Sequence, residues 1–305
     1  MRQMRWRVAT SMTLAVAIFA VTGASAMPEP IHAIGHLDDP LTPTESIIVA
    51  SSGAEGLPLP WNAAALPSSS ILFPGIRPGS WMIYPNYCTM NFIFNESGSL
   101  AGGGPYYIGT AKHCVQTQTG TDQFDASENV IGKHVVLGLS RKSGGAPQMV
   151  DIGTVAYATD GASSLGNDYA LVRINSSLER IISPSISVIG GPTSVYSASG
   201  SDMILTSGHG LGLGSTGNGR PGQISAYNRY FPQGYGMILP VSFGDSGGPV
   251  RTINGAAVGN VTNIGVSDYF SPGIAFGTRV GITGRWGLKV VTCRTNDPWP
   301  LAGCP

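Results

Sequence analysis

Gly244-Asp245-Ser246-Gly247-Gly248-Pro249 is the stretch that decides how the rest of the chain reads. A serine hydroxyl becomes a nucleophile only when a base takes its proton and donors hold the oxyanion it creates. Glycines on both sides of Ser246 permit positive φ and let N–H groups turn toward one point. The string therefore fits a loop that presents Ser246 Oγ and an anion nest together.

Such a nucleophile needs a base. Among five histidines, His113 stands out, in Ile108-Gly109-Thr110-Ala111-Lys112-His113-Cys114, directly after an apolar run. An imidazole that moves protons must be held in one tautomer and rotamer. The neighbouring Cys114 offers a covalent staple for that turn. The base in turn needs an acid to orient it, and Asp168 opens Asp168-Tyr169-Ala170-Leu171-Val172-Arg173-Ile174, a polar residue leading into an apolar strand. Asp160 precedes a glycine and reads as a turn residue. Asp151 lies in a β-like run without the apolar continuation, and His134 precedes an apolar strand and reads as structural. His209, in a glycine-rich loop, reads as a solvated or loop-bonding residue.

Short β-rich runs separated by Gly, Ser, Asn and Pro clusters recur from about residue 81 to 291: 90–94, 106–110, 134–139, 149–157, 169–174, 186–189, 202–206, 222–226, 236–241, 249–253, 256–262 and 274–280. About a dozen strands at that spacing predict an all-β barrel or pair of barrels. No helix is expected ahead of the C-terminal tail, and the sequence shows no internal repeat.

The order His113, Asp168, Ser246 and all three local strings resemble chymotrypsin-like (trypsin-like) serine proteases, and within them the secreted bacterial streptogrisin-like and α-lytic-like branch. T-A-K-H-C stands for T-A-x-H-C, D-Y-A-L-V for the acid's strand, and G-D-S-G-G-P is unchanged. Pro272–Val280 resembles the family's late P-G-x-x-T-R-V strand with two extra residues. The resemblance covers about residues 81–291. It implies two six-stranded antiparallel Greek-key β-barrels, the first over about 81–180 and the second over about 181–291, with the active site between them. It implies a serine endopeptidase with Ser246 as nucleophile, His113 as base, Asp168 as orienting acid, and Gly244 and Ser246 N–H groups as the oxyanion hole. No metal and no organic cofactor are implied.

Two features depart from the pattern. The family often pairs the acid before the nucleophile, here Asp245, with a new N-terminus such as Ile-Val-Gly-Gly. The chain holds no such tetrapeptide, and Ile48-Val49-Ala50-Ser51 is a poor substitute. An internal arginine is therefore expected at Asp245, with Arg173, Arg229 and Arg251 as candidates. In the substrate pocket, the position that carries an acid in trypsin is Pro240, followed by Val241, and the wall strand holds Thr262 and Asn263. With no charge there, a neutral P1 residue, small or apolar, is expected.

Residues 1–26 read as a signal peptide: Arg2, Arg5 and Arg7, then an apolar run, then Ala24-Ser25-Ala26. The run is well short of the ~20 residues that span a bilayer. No stable membrane insertion is expected after cleavage, and the location expected is secreted and extracellular. Residues 27–80, rich in Pro, Ser and Ala, read as a propeptide or N-terminal arm, ahead of a protease domain over 81–305.

Export makes the four cysteines disulfide candidates. Three pairings exist; Cys88 with Cys114 and Cys293 with Cys304 is the most local, and the family resemblance favours the first of these bonds. Zinc is the rival reading, but no C-x-x-C pair is present.

The 17 basic and 17 acidic residues balance, which excludes the basic footprint of a nucleic-acid partner. A protein or peptide substrate and a monomeric state are expected. Asn95, Asn175 and Asn260 open N-x-S/T strings. An esterase of the G-x-S-x-G type is contradicted by the residue order. The alternative is a catalytically silent homologue acting as a secreted binding module, which usually lacks one member of the triad.

Overall fold

β-Branched and aromatic residues in runs of four to eleven, cut by glycine, favour strands that each bury at least one face. The computed structural model describes residues 75–120, 123–139, 148–186, 189–197, 202–210, 219–226, 233–264, 270–271 and 274–293. Residues 1–74, which hold the expected signal peptide and most of the expected arm, lie outside the described residues, as do Arg229, Pro272, Gly273 and Cys304. Among the described residues there is no α-helix, only short 3-10 turns.

The first barrel comprises β1 (Trp81–Tyr84), β2 (Cys88–Thr89), β3 (Ile93–Asn95), β4 (Tyr107–Thr110), β5 (His134–Leu139), β6 (Gln148–Ala158) and β7 (Ala170–Ile174). Its sheet runs β3-β4-β7-β6-β5-β1-β2, with Lys289–Val290 added outside β3. The two ends of this curled sheet are one stretch of chain. Residues 88–90 bond to β1 and its approach, where Met90 N–H donates to Ser80 O, and from Asn91 onward the partner is β4. That switch of partners draws the sheet round on itself.

The second barrel comprises β8 (Met203–Thr206), β9 (Arg220–Ala226), β10 (Gly234–Ile238), β11 (Pro249–Thr252), β12 (Ala256–Ile264) and β13 (Ala275–Arg279). It runs β12-β11-β8-β9-β10-β13 and closes by pairing β12 with β13. If 88–95 counts as one strand, both barrels have the same ring order: first, second, third, sixth, fifth, fourth. This is a Greek-key order repeated without any repeat in sequence.

Each barrel has its own apolar interior, with Ile108, Leu137 and Val172 in the first and Ile204, Met237 and Val250 in the second. A third cluster lies on the outer face of β3, β4 and β7, where Phe94, Tyr107 and Leu171 meet Val280, Ile282 and Leu288 of the returning chain. Those strands are buried on both faces, which is why they read as near-continuous apolar runs and not as alternating ones. The packed body begins before residue 81: Ile76 bonds to the backbone of Ile181 and Ser183, and Ile76 and Arg77 are buried.

Candidate active site

His113 stands in a 3-10 turn, His113–Val115, immediately after β4. Several groups fix that turn. The Cys88–Cys114 disulfide ties it to β2. Asn86 Nδ2 donates to the carbonyls of Cys114 at 2.9 Å and Gln116 at 2.7 Å. Phe124 packs on the imidazole with ring centroids 5.0 Å apart.

Asp168 lies at the entrance to β7, its carboxylate almost fully buried. It accepts from His113 Nδ1 at 2.6 Å and from the His113 backbone N–H at 2.9 Å. A carboxylate on Nδ1 places the proton there and leaves Nε2 as the free base. The Asp168 backbone is held from the second barrel: its N–H donates to Thr278 Oγ1, and its carbonyl accepts from Asn260 Nδ2 at 3.2 Å. Asn260 is wholly buried in this role, so the N-x-T string it opens is inaccessible in the folded chain.

Ser246 sits between β10 and β11 in a tight turn in which Asp245 N–H donates to Ser242 O and Gly248 N–H to Asp245 O. Gly244 and Gly247 have φ of 95° and 83°, a region L side chains rarely adopt. Among the described residues the backbone N–H groups of Gly244 and Ser246 have no acceptor, whereas those of Asp245, Gly247 and Gly248 are all bonded. Two unpaired N–H groups flanking one residue can hold a developing oxyanion.

Thr89 of the first barrel clasps this turn. Its N–H donates to Ser246 O at 2.8 Å and its Oγ1 to Gly244 O at 2.7 Å. The Cys114 sulfur lies between His113 and the Ser246 turn, 3.8 Å from His113 Nε2 and 3.6 Å from Ser246 O. Ser246 Oγ makes no hydrogen bond among the described residues. Such bonds are often long before substrate arrives.

The partner of Asp245 is Arg220 on β9, through a two-pronged pair at 2.5 Å on each arm. The carboxylate also accepts from the N–H groups of Ser242 and Gly210. Of the three arginines singled out by sequence, Arg173 and Arg251 do not serve here. Arg173 is exposed on β7, Arg251 donates to the carbonyls of Thr252, Ile253 and Ile189, and Arg229 lies outside the described residues. Arg220 was hidden by the Gly-Arg-Pro context, which looks like loop, although the chain there is the start of a strand.

Of the expected pocket residues, Val241 packs into the second barrel's core, and its strand pairs with Ser271. Pro240 is half-buried, and its carbonyl accepts from Arg220. Thr262 is buried with its hydroxyl on Phe276 O, and Asn263 is exposed. The charged residues between 239 and 264 are Asp245 and Arg251, both already engaged.

His209 stacks on Trp81 with centroids 5.7 Å apart, and its N–H donates to Thr89 Oγ1. Burial lowers its pKa to about 4, against a smaller raising effect from its bond to Gly79. Cys88, Cys114 and His113 cluster closely enough to suggest a metal, but the sulfurs are joined in the disulfide and offer no thiolate. Cys293 is disulfide-bonded as well. A second His–Asp pair, His134 and Asp151, joins β5 to β6 at 2.6 Å.

No protein-family model matches the chain, and no curated protein matches it. Among solved structures it is similar to protease A of Thermobifida fusca, with 24% identity over 71% of this chain and 98% of that one, at a TM-score of 0.47. It is similar to the chymotrypsin of Cellulomonas bogoriensis at 19% identity over 70% and 98% of the two chains, TM-score 0.41. It is also similar to a Nocardiopsis protease at 21% identity over 70% and 98%, TM-score 0.42. The chemistry rests on this chain's own residues.

Proposed function

We propose that the protein is a secreted serine endopeptidase. The observation that carries this is the buried Asp168–His113 pair beside a turn whose Gly244 and Ser246 N–H groups are free to receive an oxyanion. Ser246 Oγ bonds to the substrate carbonyl carbon as its proton passes to His113 Nε2. Asp168 holds the imidazole and stabilises the cation formed. The C–N bond breaks as His113 returns the proton to the leaving amine. Water, deprotonated by His113, then releases the acid from Ser246.

The peptide partner occupies the cleft between the barrels, and the chain acts as a monomer without metal or organic cofactor. The absence of an unengaged charge around Pro240, Thr262 and Asn263 supports a neutral P1 residue. Export follows from residues 1–26, and N-terminal sequencing of the secreted protein tests it. Peptide-library cleavage by the mature protein, with Ser246→Ala as control, tests the activity. Cleavage after small or apolar residues is expected, and cleavage chiefly after Lys or Arg overturns the pocket assignment.

A further inference from the structure

Thr89 accounts for two of the first barrel's bonds to the nucleophile turn, and a third comes from Asn91. Asn91 and Tyr169 are both wholly buried. The Tyr169 hydroxyl donates to Asn91 Oδ1 at 2.7 Å, and Asn91 Nδ2 donates to Gly247 O at 3.0 Å. With its oxygen committed to Tyr169, the amide can turn only its NH2 toward Gly247. Burial raises the Tyr169 pKa well above the ordinary phenol value, so the hydroxyl keeps the proton it donates. Gly109 makes room for the amide, since a Cβ there would stand 1.9 Å from Asn91 Oδ1.

The ends of this relay are the chain neighbours of two members of the proposed triad, Asp168 and Ser246. Tyr169 follows Asp168, and Gly247 follows Ser246. Gly247 and Gly248 have no side chain to restrict their backbone, so an anchor on the Gly247 carbonyl counts most there.

We propose that Asn91 and Tyr169 are positioning residues for Ser246, locking the nucleophile turn against the strand that carries the orienting acid. The proposal rests on the protease reading above. Neither side chain touches the reacting atoms, and the effect passes through the Gly247 peptide.

Tyr169→Phe removes one oxygen and keeps the ring's edge-to-face contact with Phe94. Asn91→Leu removes both bonds at similar volume. Each variant and the double variant are assayed well below the lowest melting midpoint of the set, by fluorophosphonate labelling rate and by kcat and KM on one peptide. Each single change is expected to lower labelling rate and kcat about tenfold, since misplacement by ~1 Å costs up to about a hundredfold. KM is expected to stay within about twofold. The double variant is expected to match Asn91→Leu, because the relay acts as a unit. Lower melting with wild-type labelling and kcat overturns the proposal, and so do effects that multiply in the double variant. A wild type that does not label at all overturns the protease reading itself, and the proposal with it.

Discussion

The first barrel holds two His–Asp pairs of nearly the same local geometry. His113–Asp168 and His134–Asp151 each place Nδ1 2.6 Å from a carboxylate oxygen, and each carboxylate is 2% exposed. Each aspartate also accepts a backbone N–H, from His113 itself in one pair and from Gly153 in the other. They differ in what lies beyond the imidazole. His113, 12% exposed, is flanked by Phe124, the disulfide and the Ser246 turn; the His134 side chain, 40% exposed, has no hydrogen bond besides that to Asp151 among the described residues. A paired imidazole is therefore not itself a catalytic device. In the proposed function, Ser246 and the free N–H groups contributed by the other barrel make it one.

The sharpest way to break this comparison is to delete each imidazole. His113→Ala is expected to lower kcat on a peptide by about 10⁶, and His134→Ala to leave it within about twofold. Comparable losses in both would refute the distinction. The carboxylates follow: Asp168→Asn is expected to cost about 10⁴ in kcat through the wrong tautomer. Asp151→Asn is expected to cost about 1 kcal/mol of stability and no activity, as read by denaturant unfolding.

A third test leaves both pairs intact and disturbs the turn alone. Arg220→Met strands the buried Asp245 carboxylate, at a cost of about 3–5 kcal/mol. Activity should vanish, and the unfolding midpoint in denaturant should drop. Adding Asp245→Asn should recover part of the stability.

A last effect falls on stability alone and concerns another histidine. His209 has a folded pKa of about 4 and an unfolded value of 6.5. Between those values the unfolded chain binds more protons, so stability is complete above about pH 6.5 and falls as pH drops toward 4. The loss amounts to about 2–3 kcal/mol. His209→Gln should flatten that part of the pH–stability curve; an unchanged curve would assign the loss to other groups.

The parts of this account legible in the sequence were those written locally. The nucleophile turn needs glycines at 244 and 247 for its positive φ, and the imidazole turn needs a cysteine beside it, so both appear as strings. Eleven of the strands, including 134–139 and 256–264, could be read because apolar β-formers run between turn residues. The expected strand at 186–189 is not one in its described residues; Ile186 and Ile189 are apolar because they cover the returning chain. Trp81–Tyr84 went unread because Pro and Asn follow it closely.

Arg220, Asn91 and Asn260 were illegible for a different reason. Each is a polar residue with a partner 25 to 156 positions away, and only the folded chain brings them together: Asn91 and Asn260 bond across the two barrels, Arg220 within the second. The same holds for the likeness of the two His–Asp pairs. The sequence separated them by the strand following Asp168, and the structure separates them by what faces each ring.

The central claim is that Ser246 is the nucleophile and His113 its base. Labelling by a fluorophosphonate, followed by mass mapping of the adduct, tests it most directly. The adduct is expected on Ser246 in the wild type and in His134→Ala, and is expected to disappear in Ser246→Ala and His113→Ala. An adduct on another residue, or equal labelling of folded His113→Ala, would contradict the account.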